Sequence, residues 1–181
     1  RNCMTKLLVR LFAHNGTRSA VGRLSSVVGV VCNLLVAAAK LLIGVLSGSV
    51  SITADAMNNI SDATSSVVTF VGFKLAEQPA DAEHPFGHAR YEYISALIVS
   101  GLILIIGFEL GKSSVEKFFA PEPMTFSIWL VVVLIVSIVV KLWLSLFNTT
   151  LGKQIDSDAL LATAADSRND CNATAAVLLS A

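Results

Sequence analysis

Charge is scarce in this chain. Of its 181 residues only 14% are Asp, Glu, Lys or Arg, against about a quarter in an average soluble domain. Neither sign is in excess, since 13 basic and 13 acidic residues leave no net charge, so no nucleic-acid partner is indicated. Cysteine is sparse as well. Cys3, Cys32 and Cys171 are scattered and form no CxxC pair, which excludes a disulfide framework and a zinc knuckle. No nucleophile–base pair and no open catalytic metal shell is visible, so the chain is not read as an enzyme and no cofactor is expected. No cleavable signal-peptide pattern stands at the start.

What fills the chain is apolar: 54% of it is hydrophobic, with a mean hydropathy of +0.72. Runs of about 18 or more apolar residues are the signature of transmembrane helices, and several occur. A soluble helical core fits poorly, because too many segments are apolar all round. The expected fold is all-α: a polytopic membrane protein with five visible transmembrane helices. The spans are Ser25 to Leu46, Val50 to Ala76, Ala89 to about Phe119, Phe126 to about Thr150, and Asp158 to Ala181. Residues 1–24 form an amino-terminal segment in which Leu7, Leu8, Leu11 and Phe12 fit a short interfacial helix. Gly48-Ser49 reads as a tight turn, Glu77–His88 as a Pro-, Asp- and His-rich loop, and Ala120-Pro121-Glu122-Pro123 as a break.

Loop charge sets the orientation. With an inside start, Lys6, Arg10, Arg18, Arg23, Lys74, Arg90 and Lys153 fall on the cytoplasmic side, and only Lys112 and Lys117 fall outside. A cytoplasmic amino terminus follows, in what is expected to be a bacterial plasma membrane. Five spans leave Ala181 outside, so residues 25–181 read as a membrane domain whose sixth span lies beyond the sequence.

Two stretches are polar where a membrane span is not expected to be. Asn58-Asn59-Ile60-Ser61-Asp62 and Asp166-Ser167-Arg168-Asn169-Asp170 each set two oxygen-bearing side chains four residues apart, one above the other on a helix face. Asp62 lies roughly 18 Å into its span, and Asp166 and Asp170 roughly 12 and 18 Å into theirs. All are near the middle of a hydrocarbon core about 30 Å thick. The two helices run in opposite directions, so Asn58, Asp62, Asp166 and Asp170 can meet at one level. Intramembrane carboxylates are costly and mark ion pathways; the competing reading is polar glue between helices, which suits Asn58 or Asn59 alone better than three aspartates together. Asp55 shares the Asp62 face and either lines an exit, caps the helix or pairs with Lys40. Arg168 points away from the two neighbouring aspartates, and Cys171 reads as packing. All four candidate ligands offer oxygen. Zinc favours nitrogen and sulfur, oxygen sites suit manganese, magnesium and calcium, and magnesium dehydrates reluctantly. Manganese(II) is the first expectation and iron(II) the second.

The run Ala54-Asp55-Ala56-Met57-Asn58-Asn59-Ile60-Ser61-Asp62, the loop Pro79-Ala80-Asp81-Ala82-Glu83-His84-Pro85-Phe86-Gly87-His88, and Asp166 to Asp170 resemble the cation diffusion facilitator family, in order and spacing, from about Ser25 to Ala181. The resemblance implies a homodimeric exporter of divalent metals, commonly in exchange for protons. It implies six transmembrane helices, usually with a cytoplasmic ferredoxin-like domain, and the sixth helix and that domain are absent from this sequence. It also implies a central site of Asn58, Asp62, Asp166 and Asp170. Zinc members usually carry a histidine in one pair; this chain has Asn and Asp instead and looks like the manganese-exporting branch. The loop residues Asp81, His84 and His88 resemble the family's secondary metal site. Two imidazoles and a carboxylate on a short loop can hold a metal. They also fit plain turn architecture, with the histidines bonding backbone while Phe86 packs.

The expected mechanism is alternating access. Metal enters from the cytoplasm, the four oxygens bind it, helix rocking opens the site outward, and protons on the aspartates aid release. Zinc or iron(II) export is the alternative within the family. From other classes, a cation channel would use the acidic residues as a selectivity ring, and a membrane metal sensor would bind without transport.

Overall fold

The computed structural model describes residues 17–47, 50–81, 84–119 and 128–180, and among these every element is helical. The helices are α1 (Arg18–Ser47), α2 (Val50–Ala76), α3 (Tyr91–Phe119), α4 (Ile128–Ile155) and α5 (Asp158–Ser180). The interfacial helix expected around Leu7–Phe12, the Gly48-Ser49 turn and the break at Ala120–Pro123 lie outside the described residues.

The first helix starts earlier than its apolar run. Thr17 caps it, accepting a hydrogen bond from the Ala20 amide on Oγ1 at 3.4 Å while its carbonyl takes the Val21 amide at 3.1 Å. Arg18 and Arg23 therefore lie within α1 and not in a leading segment. Both are neutralised by distant carboxylates. Arg18 holds Glu92 through two bonds of 3.0 Å and the Asp156 carbonyl at 2.7 Å, and Arg23 pairs with Glu77. These contacts gather the start of α1, the end of α2, the start of α3 and the α4–α5 turn at one end of the bundle, so the helices alternate in direction.

The α4–α5 connection is two residues long because α4 ends in a Schellman motif. Asp156 adopts a positive φ of 53°, and the Ser157 amide reaches back to the Gly152 carbonyl at 2.9 Å. Helix α1 lies along α2, α4 along α5, and α3 bridges α2 and α5. Small residues allow the close approach: a Cβ on Gly29 of α1 would stand 2.7 Å from Ser66 Oγ, and one on Gly22 would enter the Phe73 ring at 2.5 Å.

Among the described residues, three helical stretches have the length and composition to cross a membrane: Arg18–Leu46, Tyr91–Glu109 and Val131–Ile155. They present exposed stripes of large apolar residues, such as Val31, Leu35, Leu42 and Leu46 on α1 and Leu97, Leu104 and Phe108 on α3, the surface that a bilayer covers. Helices α2 and α5 fall outside that set because they carry the amides and carboxylates. Among the described residues the interior holds two apolar clusters. Val21, Phe73, Leu144, Phe147, Leu151 and Leu160 pack at the end bearing the Arg18 contacts, and Ile52 and Leu134 pack near the other. The polar stretches of α2 and α5 lie between them.

Candidate metal centre

Asp62 and Asp170 meet on a lysine. The Lys141 ammonium, carried by α4, contacts Asp62 Oδ2 directly and lies 2.7 Å from Asp170 Oδ2. The three side chains are 3% (Lys141), 4% (Asp62) and 15% (Asp170) exposed. Asp166, buried on the adjacent turn of α5, joins them: one carboxylate oxygen from each of Asp62, Asp166 and Asp170 lies within 4.8 Å of the other two. Asn58 completes the set from α2, its Nδ2 donating to Asp170 Oδ1 at 3.4 Å. All four residues singled out by the i, i+4 pattern therefore converge on one place, at one level of the bundle.

The convergence follows from helix geometry. Asp62 is roughly 20 Å from the α2 end that Arg23 and Glu77 tie down, and Asp170 lies a similar distance from the start of α5. Lys141 stands at the same height above the end of α4. Asp62 Oδ1 is buried without a hydrogen-bond partner, as is Oδ1 of the adjoining Asn59; the Asn59 amide nitrogen donates to the Asp55 carbonyl at 2.8 Å. A buried acceptor left open inside a cluster of carboxylates is a site with unused capacity for a cation.

Lys141 is the residue that reasoning from the sequence passed over. Its signal was an ammonium deep within the most apolar helix, which needs a carboxylate at its own depth; matching the depth of Lys141 to that of Asp62 finds it. The other intramembrane lysine pairs as one of the alternatives anticipated: Lys40 Nζ is 2.7 Å from Asp55 Oδ2. Arg168 is exposed, and Cys171 packs with its Sγ 3.9 Å from the Ile138 carbonyl, so neither joins the cluster.

The loop forms a second constellation. Asp81 Oδ1 accepts the His84 amide at 2.6 Å and stands 3.3 Å from His84 Nδ1, and Asp81 Oδ2 is 3.6 Å from His88 Nε2. The ligand atoms of Asp81, His84 and His88 also fall within 4.8 Å of one another. His88 Nδ1 donates to the Pro79 carbonyl at 3.0 Å, the kind of backbone contact that orients a metal-ligating histidine. The ring of His88 stacks on Tyr91 at 5.6 Å. Both readings of the loop have support, but the expectation that Phe86 packs is wrong: its side chain is 98% exposed. It is lifted away at the turn before Gly87, whose φ of +77° suits glycine.

Fold and cluster together define an integral membrane protein built round a buried group of carboxylates. Residues 26–181 match the family model described as the cation efflux transmembrane domain, and the chain belongs to that family. It is 34% identical over 149 residues to the manganese efflux system protein MneS of Bacillus subtilis, covering 82% of this chain and 51% of that protein. An uncharacterised transporter of Methanocaldococcus jannaschii is 31% identical over 153 residues, 84% of this chain and 54% of its own length. The magnetosome protein MamB of Paramagnetospirillum magneticum is 34% identical over 140 residues, 77% and 47% respectively. The chain thus spans about half the length of the curated relatives it matches.

Proposed function

We propose that this chain is the membrane domain of a divalent metal exporter, with manganese(II) as its first cargo, exchanged for protons by alternating access. The observation that carries the reading is the convergence of Asp62, Asp166 and Asp170 within 4.8 Å inside the bundle, with Asn58 in contact. In this reading these four side chains form the transport site. Their oxygens suit a hard dication better than zinc, and the relative MneS is named for manganese efflux. The apolar clusters at either end of the cluster would act as the barriers that rocking opens in turn. The amino terminus is cytoplasmic on the Lys and Arg count, which puts the Asp81–His84–His88 loop on the side where cargo enters and makes it an accessory metal site. The working unit is a homodimer, as the family resemblance implies.

Zinc and iron(II) are the alternative cargoes; the histidine-free donor set speaks against zinc. A channel is the alternative from another class. The full-length protein in inverted vesicles tests both. Manganese uptake that saturates, needs a proton gradient and is poorly competed by zinc is the expected result. Equal or better zinc uptake would remove the metal assignment, and ohmic currents would replace the carrier with a channel.

A further inference from the structure

An oxygen-ligand site for a dication does not call for a lysine, yet Lys141 stands inside it. Its ammonium contacts Asp62 Oδ2 and lies 2.7 Å from Asp170 Oδ2, with only 3% of the side chain exposed. A hard dication held by the same oxygens would lie about 2.0–2.6 Å from them. Nζ already occupies that space. Two positive charges about 3 Å apart repel strongly where water is excluded, so ammonium and cargo cannot share the position.

Resting on the transport reading above, we propose that Lys141 is a resident counter-cation: its ammonium fills the cargo position in the empty site and is displaced by the incoming dication. The four-carbon stem permits withdrawal without movement of α4. In the empty protein it neutralises part of the carboxylate charge, so the bundle can return through its closed state without cargo. In the loaded protein it gives up Asp62 and Asp170 to the metal. On release, the returning ammonium competes for the same oxygens and drives the metal out. Lys141 thus sets affinity and turnover as a positioning residue. A merely structural lysine, clamping α4 to α2 and α5, would loosen the bundle on removal without tightening metal binding.

The test is manganese binding to the full-length protein in lipid nanodiscs, read from the electron paramagnetic resonance of free Mn(II), together with flux in vesicles. Lys141→Gln is expected to bind manganese on the order of a hundredfold more tightly, because removing one partner leaves the carboxylates buried and uncompensated. Net efflux should slow while exchange of bound for free manganese continues. Lys141→Arg should shift the other way, on the order of tenfold weaker, since the planar fork grips two carboxylates and withdraws less readily. Unchanged or weaker binding in Lys141→Gln overturns the proposal. If that variant does not fold, unchanged or tighter binding in Lys141→Arg overturns it. Asp166→Asn separates the two levels of argument. If it binds manganese like the wild type, the site assignment itself fails; if it loses manganese while both lysine variants bind like the wild type, only the resident counter-cation fails.

Discussion

The Lys141–Asp62 pair makes a demand on stability that does not depend on transport. Both side chains are almost fully buried, at 3% and 4% exposure, and the ammonium has Asp170 as a second partner at 2.7 Å. Unit charges about 4 Å apart attract by about 4 kcal/mol at an effective permittivity near 20, and desolvation takes back much of that. Breaking such a pair from one side costs about 3–5 kcal/mol, because the remaining charge is stranded. Lys141→Met strands three carboxylates and should fall in that range, while Asp62→Asn leaves Lys141 with Asp170 and should cost about 1–3 kcal/mol. In the double variant each change removes part of the penalty left by the other. The combined loss should therefore fall short of the sum by about 2 kcal/mol or more. Reversible unfolding of the full-length protein in mixed detergent micelles measures all three. Additivity within about 0.5 kcal/mol would mean that the two groups do not meet in the folded protein, and the charge cluster would go with them.

Three further outcomes follow from the same contacts. Gly72→Ala would put a Cβ 2.4 Å from Ser95 Cβ, forcing α2 and α3 apart at a cost of about 1–3 kcal/mol; Ser95→Gly in the same protein should restore the thermal midpoint, and failure to do so would refute the contact. Asp156→Gly should raise the unfolding free energy by about 0.5–1 kcal/mol, since Asp156 sits at a φ of 53° with an exposed side chain; a loss of stability would mean that its carboxylate matters more to Arg18 than its backbone strain does. His84→Ala should lower the number of manganese or zinc ions bound per chain at saturation without lowering thermal stability, and an unchanged stoichiometry would leave the Asp81–His84–His88 loop as a turn and nothing more.

The sequence was most legible where apolar segments were interrupted. Asn58, Asp62, Asp166 and Asp170 stood out because an amide or carboxylate in a membrane span has few reasons to be there, and i, i+4 spacing was enough to put each pair on one face. Among the described residues the helix count and most ends were readable from hydropathy, but α4 runs to Ile155, past the end expected near Thr150. The start of α1 was not readable, because Arg18 and Arg23 look like solvent-facing charge until their partners are known. Glu92 and Glu77 lie 74 and 54 residues away in the chain, and no local pattern links them. Lys141 was hidden for another reason. Helix α4 is apolar all round, so its sequence carries no amphipathic face from which to read its rotation. Which side of α4 meets α2 and α5 is decided by packing, with Leu144, Phe147 and Leu151 buried at one end and Leu134 at the other, and that packing is what carries Lys141 inward.

Charge counting then ties the lysine to the valence of the cation proposed for this site. Asp62, Asp166 and Asp170 with Lys141 bring three carboxylates and one ammonium together, a formal charge of −2. A cluster with that charge between two apolar plugs is an electrostatic liability in a low-dielectric interior, and one dication cancels it where one monovalent cation leaves half of it standing. Without Lys141 the charge of the empty cluster would be −3. In the transport reading proposed above, the polar stretches of α2 and α5 supply the ligands, and the lysine on the apolar helix beside them sets the charge that a divalent ion would cancel.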